Sequence, residues 1–392
     1  MTFNAEAATQ VYMDRISAAE LLQARAITTG NHWLLLVDLL VAALVTWVII
    51  RSNLLGKVST CLTNRSWALR TFTVAAVFAL VSTLLTLPYT IYKGWWRMSQ
   101  YGLISQPLSD YFAQRMITSA IDVLILSVVL LGAYWLMRTS LRWWWIWSAG
   151  LVASVIAFMA FISPALIDPL FNSYEPVPEG EVRDAVIALA ANTDISADRI
   201  FMYDASRQSN TFNANVSGIG PSARVAFTDV AISGASLDEV LAVTGHELGH
   251  YALKHTAWDV VISGLLYLTI LFLIDRLYGR FASVFGSDVP LYDIRSAPVV
   301  MFMLAVLMTL SLPIQNNMSR VFENQADDYS LEHAGKPDAI AEFLIRGPHA
   351  KYPKAGPIEE YLFYTHPAVE NRIRKMMEWK AAHLPEITEV RE

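Results

Sequence analysis

Apolar residues in this chain gather in long blocks, not in the two-residue alternation of a half-buried strand or the narrow stripe of a soluble helix. The first block, residues 33–50, reads WLLLVDLLVAALVTWVII. Similar blocks cover about 71–92, 117–137, 143–167, 257–274 and 298–314. Each approaches or exceeds the roughly 18 apolar residues that cross a bilayer, so the pattern predicts six transmembrane helices. Pro313 and the polar run Gln315-Asn316-Asn317 close the last of them early.

Polar intervals divide the rest into segments 1–32, 168–256 and 315–392, around membrane blocks 33–167 and 257–314. Over 5–26, Val11, Ile16, Leu21 and Leu22 space the apolar side of an amphipathic helix expected to lie beside the membrane. Its acidic residues Glu6, Asp14 and Glu20 make a cleavable signal peptide unexpected. Within 168–256, the spacing of Val182, Val186, Ile187 and Leu189 predicts a helix over 181–191, and strands are expected over 199–203, 211–217 and 224–228. The last segment reads as helices broken at Gly335-Lys336-Pro337 and at Gly347-Pro348. Two crossings separate the second and third polar segments, so both emerge on one face and can build one site.

Composition agrees with the membrane reading. The chain is 54% apolar and 16% charged over 392 residues, with a mean hydropathy of +0.38, where soluble domains are about a quarter charged. Its 12 Trp and 16 Tyr suit many positions at a membrane–water boundary. A net charge of -6 gives no reason to expect a nucleic-acid partner. The single cysteine, Cys61, excludes an intrachain disulfide and a thiolate-built zinc site.

The strongest chemical signal is His246-Glu247-Leu248-Gly249-His250, an H-E-x-x-H spacing. Residues four apart share a helical face, so His246 and His250 can grip one metal ion while Glu247 takes a proton from water at the open position. Ser236 with Glu239 is a capping-box pattern that starts the helix. Random placement gives roughly 0.007 such matches in a chain of this composition; two histidines satisfied on a core helix is the bland alternative. A catalytic zinc takes a third protein ligand, and Glu323, 73 residues beyond His250 in Glu323-Asn324-Gln325-Ala326-Asp327, is the candidate. Asp327, one turn on, could accept the second N–H of a ligating imidazole. Spacing alone leaves a solvated acidic face equally open, since Asp328 and Glu332 follow. Thr365-His366-Pro367 opens another helix, and Arg372 follows it. His366 could donate to a developing oxyanion or simply cap that helix.

Taken together, these motifs resemble the type I CAAX prenyl proteases, integral-membrane zinc metalloproteases, and more distantly the HtpX-like quality-control proteases. The resemblance covers about residues 70–380. It includes Leu87-Pro88-Tyr89, Asp168-Pro169-Leu170-Phe171-Asn172, Asn213-Ala214 through Gly218, the HELGH helix ending at His255, the Glu323–Asp327 stretch and His366-Pro367 with Arg372. It implies a mostly α fold: a polytopic transmembrane helical bundle around an intramembrane chamber, with a zincin-like α+β catalytic domain carrying a small β-sheet. It implies one zinc ion per chain on His246, His250 and Glu323, with Glu247 activating water and Asp327 behind the ligands. His366 and Arg372 would stand close to the scissile carbonyl, and Asn213 and Ala214 on an edge strand that pairs with substrate backbone.

The implied partners are the lipid bilayer and a peptide or protein substrate cleaved near its C-terminus, lipidated in the prenylated case. Alternatives are HtpX-like quality control and a non-catalytic membrane scaffold. Two departures stand out: Asn215 occupies a place where the family carries an aromatic residue, and six spans are found where seven are typical. Asp38 and Asp122 fall inside spans, where a carboxylate needs a partner or water. Orientation draws opposite answers. Nine basic residues (Arg51, Lys57, Arg65, Arg70, Arg138, Arg142, Arg276, Arg280 and Arg295) line the loops away from the catalytic segments. Five (Arg15, Arg25, Lys93, Arg97 and Arg115) lie on the catalytic side, so the positive-inside rule puts that side out of the cytoplasm. The resemblance puts the catalytic face in the cytoplasm, and that is the expectation followed.

Overall fold

The computed structural model describes residues 3–191, 193–209, 212–218, 220–346 and 349–389. Thr211 and the expected break at Gly347-Pro348 lie outside them. The chain opens with α1 (Ala5–Met13) and α2 (Ala18–Ser52), followed by α3 (Leu54–Cys61) and α4 (Trp67–Ile91). A π turn at Tyr92–Trp96 carries α4 into α5 (Arg97–Gln100). Next come α6 (Leu108–Thr139) and α7 (Trp144–Ile162), the latter extended as one apolar stretch to Leu170. The polar insertion holds β1 (Tyr174–Pro176), α8 (Glu181–Ala190), β2 (Ile200–Tyr203), β3 (Ala214–Ser217), β4 (Arg224–Thr228), α9 (Asp229–Gly234) and α10 (Leu237–Ala252). Then follow α11 (His255–Val284), α12 (Ala297–Leu310), α13 (Leu312–Ala334), α14 (Pro337–Ile345), α15 (Pro357–Phe363) and α16 (Val369–Glu389).

Among the described residues, five helical stretches are long and apolar enough to cross a bilayer: α2, α4 with α5, α6, α7 with its extension, and α11. The sixth expected block falls on α12 and α13, which form a pair bent by 53°. Pro313 in the first turn of α13 has no N–H for the preceding carbonyls, which permits the break at Ser311. The result is a kinked continuation rather than the end of a helix. Only 6–22% of each straight span's most apolar window is buried by protein, and the buried positions meet along an inner seam that includes Val74, Phe78, Leu130, Ile274 and Met303. Asp122 lines two spaces between them, of about 390 Å³ and 250 Å³, and its side chain is 59% exposed. Arg115 Nη2 stands 3.9 Å from its Oδ2, the basic partner that a carboxylate within a span calls for. Asp38 is held more closely, accepting from Tyr89 Oη at 2.7 Å and from Lys93 Nζ at 2.7 Å.

Helix ends sort to two levels. At one, the starts of α2 and α6 meet the polar segments: Arg25 pairs with Glu359 at 2.8 Å, and Ser105 N–H donates to Gln208 O at 3.2 Å. The extension of α7 arrives at the same level, where Asp168 pairs with Arg224 at 2.7 Å. At the other level lie α3, the starts of α4, α7 and α12, and the ends of α2, α6 and α11.

The sheet order is β1-β2-β4-β3, with β2 and β4 parallel and the outer pairs antiparallel. All five residues of β4 are buried, as a central strand covered on both faces requires. Phe227, Val225, Ile200, Val186, Val240 and Leu248 form the core joining the sheet to α8 and α10. Strand β3 is an edge. The helix expected over 5–26 is two helices. Ser17 caps α2 in a reciprocal box with Glu20, so residues 18–26 begin the first span instead of lying beside the membrane. The short α1 docks on the last helices, burying Met13 and Ile16 with Ile340, Ile373, Met376 and Met377.

Candidate metal centre

Helix α10 starts where the sequence predicts, with Ser236 and Glu239 satisfying each other's backbone N–H groups. Its face toward α13 is made of small residues. A Cβ on Gly249 would stand 3.0 Å from Ala326 Cα and 2.9 Å from Tyr329 Cβ, so only glycine permits this approach. One turn earlier, Gly245 faces Ser330, whose hydroxyl donates to the Ala242 carbonyl at 2.6 Å. The close crossing brings Glu323 of α13 against both histidines of α10.

His246 Nε2 and His250 Nε2 stand 3.2 Å apart. Glu323 Oε2 lies 3.3 Å from the first and Oε1 lies 3.5 Å from the second. One donor atom from each of the three residues falls within 4.8 Å of the others. Glu323 Oε2 is buried without a hydrogen-bond partner, the only carboxylate oxygen in that condition among the described residues. Two imidazole nitrogens and a bare carboxylate oxygen facing one point form a donor set that a divalent cation satisfies.

The surroundings prepare these donors. His246 Nδ1 stands 2.9 Å from Asp327 Oδ1. Asp327 is fully buried and accepts from Arg372 at both oxygens, Nε at 2.9 Å and Nη2 at 2.6 Å. Burial works against a charged His246, but its hydrogen bond to Asp327 and the Glu323 carboxylate beside it outweigh this and raise its imidazolium to about 9. That field favours positive charge at Nε2, whether a proton or a metal. Burial raises the Glu247 carboxyl above the ordinary range, as suits a group that must hold a proton in passing. The Val216 N–H of β3 donates to Glu247 Oε2 at 3.3 Å, which sets the carboxylate beside the edge strand.

The other expected residues fall into two groups. His366 comes to the donor set, with Nε2 3.2 Å from Glu323 Oε1, and burial lowers its imidazolium to about 4, so it is neutral at neutral pH. Ala214 is buried on β3 opposite Phe227, and Asn213 immediately precedes that strand, its carbonyl accepting from Thr228 N–H at 2.9 Å. Arg372 is 9% exposed and engaged with Asp327 behind His246, so it meets the donor set through that carboxylate.

Two participants escaped the sequence reading. Helix α10 ends at Ala252, and Lys254 takes a left-handed turn (φ 58°), so His255 opens α11 instead of closing the HELGH helix. That turn folds His255 Nδ1 back to 2.9 Å from His250 Nδ1, while its Nε2 stands 3.0 Å from Gln325 Oε1. A third histidine five positions after His250 was the available signal. Lys351 donates to Thr365 Oγ1 at 3.1 Å, and that oxygen lies 3.0 Å from His366 Nδ1; nothing in the local sequence pattern marks it.

A family model described as peptidase family M48 matches residues 176–380, more than half the chain and all of the metal-facing residues. The chain belongs to peptidase family M48. The N-terminal part of this M48 chain, residues 3–173, matches a model described as the CAAX prenyl protease N-terminal region with five membrane helices. An uncharacterized metalloprotease of Bacillus subtilis is 30% identical over 267 residues, 67% of this chain and 62% of that protein. CAAX prenyl protease 1 of Saccharomyces cerevisiae is 27% identical over 320 residues, 75% of this chain and 69% of that protein. The crystal structure of S. mikatae Ste24p superposes with a TM-score of 0.73 at 21% identity, covering 93% of this chain and 90% of that one. The M48 chain therefore shares the Ste24p fold and is an integral membrane protein.

Proposed function

We propose that this chain is a membrane zinc endopeptidase of the H-E-x-x-H plus Glu type, cutting peptide bonds near the C-terminus of its substrates, prenylated proteins among them. The convergence of His246, His250 and Glu323 within 4.8 Å, with Glu247 on the same helical turn, is the observation that carries this reading. Zinc bound there would supply a Lewis acid that polarises a carbonyl and acidifies water. Glu247 takes a proton from the attacking water and passes it to the leaving amine. His366, neutral and half-exposed beside Glu323, donates its N–H to the oxyanion, an effect worth roughly 3 kcal/mol per donor. Asp327 holds His246 as the tautomer with its proton on Nδ1, which leaves the Nε2 lone pair for the metal. Arg372 is a positioning residue that keeps Asp327 charged and aimed. The free edge of β3, reached through Asn213 and Ala214, pairs with the substrate backbone, and the side chains of that backbone are read around it.

The test is metal content with turnover. Purified protein is expected to hold one zinc per chain, to lose cleavage of a reporter peptide on chelation and to recover it with zinc. Metal-free protein that still cleaves would end the proposal. A farnesylated peptide is expected to be cut faster than its unlipidated twin, and equal rates would remove prenylation from the specificity. The catalytic end is placed on the cytoplasmic side in this proposal, as the resemblance implies. Cys61, exposed at the far end of the bundle, reports on this: an impermeant maleimide should label it on intact cells, and labelling only after lysis would reverse the orientation.

A further inference from the structure

At the level farthest from His246, a cavity of about 450 Å³ opens between α3, the start of α4, the end of α6 and the turn before α12. Three guanidiniums line it, from Arg70, Arg138 and Arg295, against one carboxylate, Asp293. Arg295 is neutralised by Asp293, with Nη2 at 2.6 Å and Nε at 3.0 Å. Arg70 and Arg138 form no ion pair among the described residues; Arg138 lies over the Trp67 ring, 5.3 Å from its centroid. Arg70 also acts on Asp293 through its charge, so three guanidiniums against one carboxylate leave the wall with a net positive charge that attracts an anion, and the forked N–H groups of Arg70 and Arg138 match phosphate oxygens.

The depth and rim of the cavity say where that anion comes from. Trp67 opens α4, Trp144 opens α7 and Thr139 closes α6, so the cavity sits where these membrane helices end. Trp143 and Trp147 stand exposed in the neighbouring turn, the residue type that settles at a bilayer boundary. Leu141 and Tyr292 line the cavity and remain 67% and 60% exposed. A diffusing anion gains nothing from such a rim, whereas a phosphate carried by a lipid rests its glycerol and acyl carbons there. We propose that this cavity is a binding site for an anionic phospholipid, its phosphate between Arg70 and Arg138 and its glycerol end against Leu141 and Tyr292. The site is independent of the peptidase reading, because no residue of it approaches the metal-facing donors.

The experiment is native mass spectrometry of the full chain in detergent, titrated with dioleoyl phosphatidylglycerol or with dioleoyl phosphatidylcholine. One equivalent of phosphatidylglycerol is expected to persist at collision energies that strip phosphatidylcholine. The double variant Arg70→Gln/Arg138→Gln should weaken that retention by about 10-fold or more, with metal content and thermal midpoint unchanged. The double variant Arg51→Gln/Arg280→Gln, on the same level but outside the cavity, should retain the lipid as the parent does. Equal retention of both lipids, or equal losses in the two double variants, would reduce the effect to general surface charge and overturn the site. Displacement by equimolar inorganic phosphate would make it a phosphate site and overturn the lipid. Should the first variant fail to fold, photo-crosslinkable phosphatidylglycerol on the parent protein decides: adducts are expected on α3, Trp67–Arg70 and Leu141, and adducts elsewhere refute the assignment.

Discussion

The α10–α13 crossing and the membrane helices around it are built to opposite rules. Between α10 and α13, glycine and alanine let the backbones close up, and polar groups pair in chains: Arg372 to Asp327 to His246, and Gln325 to His255 to His250. In the spans, full burial is confined to an inner seam that includes Val74, Phe78, Leu130, Ile274 and Met303, and the outer faces leave protein; Leu36, Leu40 and Leu44 of α2 are each more than half exposed. Lipid tails solvate leucine as well as a protein core does, so apolar burial drives little association there. Polar pairing is therefore concentrated where chemistry needs fixed donors, and the outer faces of the bundle are left to lipid. Breaking the crossing should be costly and breaking a lipid-facing position of the spans nearly silent.

The largest effect is expected at Glu247. Glu247→Gln preserves size and an acceptor for the Val216 N–H, 3.3 Å away, while removing the base. Bound metal should stay at the parent level and peptide cleavage should fall by about 10²–10⁴-fold. Parent-like turnover would exclude Glu247 from the chemistry. Next comes packing: Leu248, fully buried between α10 and the sheet, should cost about 2–5 kcal/mol when truncated in Leu248→Ala. Thermal unfolding of the detergent-solubilised protein reads that loss, and an unchanged midpoint would mean that the catalytic unit is as loosely packed as the outer faces of the spans.

The same contrast explains what the sequence could disclose. Spans were legible because backbone groups in a bilayer must bond within their own helix, which demands long apolar blocks. The two histidines and Glu247 were legible because a helix converts spacing of four directly into a shared face. Glu323 was legible only as a chemical requirement, since a third ligand had to come from the same side of the membrane. What stayed hidden depended on contacts distant in sequence or on single backbone torsions. Spacing could not tell whether Arg372 faces substrate or the buried Asp327. The left-handed Lys254 that returns His255 to His250 has no pattern, and α1 finds its partners Ile340 and Met376 more than 300 residues away. Pro313 was visible, but a stop and a 53° bend look alike in a hydropathy profile.

An intermediate effect is expected behind the ligands. Asp327→Asn keeps an acceptor near His246 Nδ1 but strips the charge that faces Arg372, leaving a buried guanidinium without its counter-ion. Zinc affinity should drop by about 10–100-fold, measured by competition with a chelator. Unaltered affinity would show that hydrogen bonding alone, without the carboxylate charge, orients His246.

The smallest effect sharpens the comparison most. Leu44→Ala in α2 removes the same atoms as Leu248→Ala, but from a side chain 59% exposed in place of one with no exposure. If the surrounding medium is lipid or internal water and not packed protein, truncation leaves no cavity and only the contacts common to folded and dispersed helices are lost. The thermal midpoint should move by an amount worth no more than about 0.5 kcal/mol, within the range of surface substitutions. A loss near that of Leu248→Ala would require a partner pressed against Leu44 in the membrane, such as a second copy of the chain, and the spans would then have to be read as half of a larger packed interface.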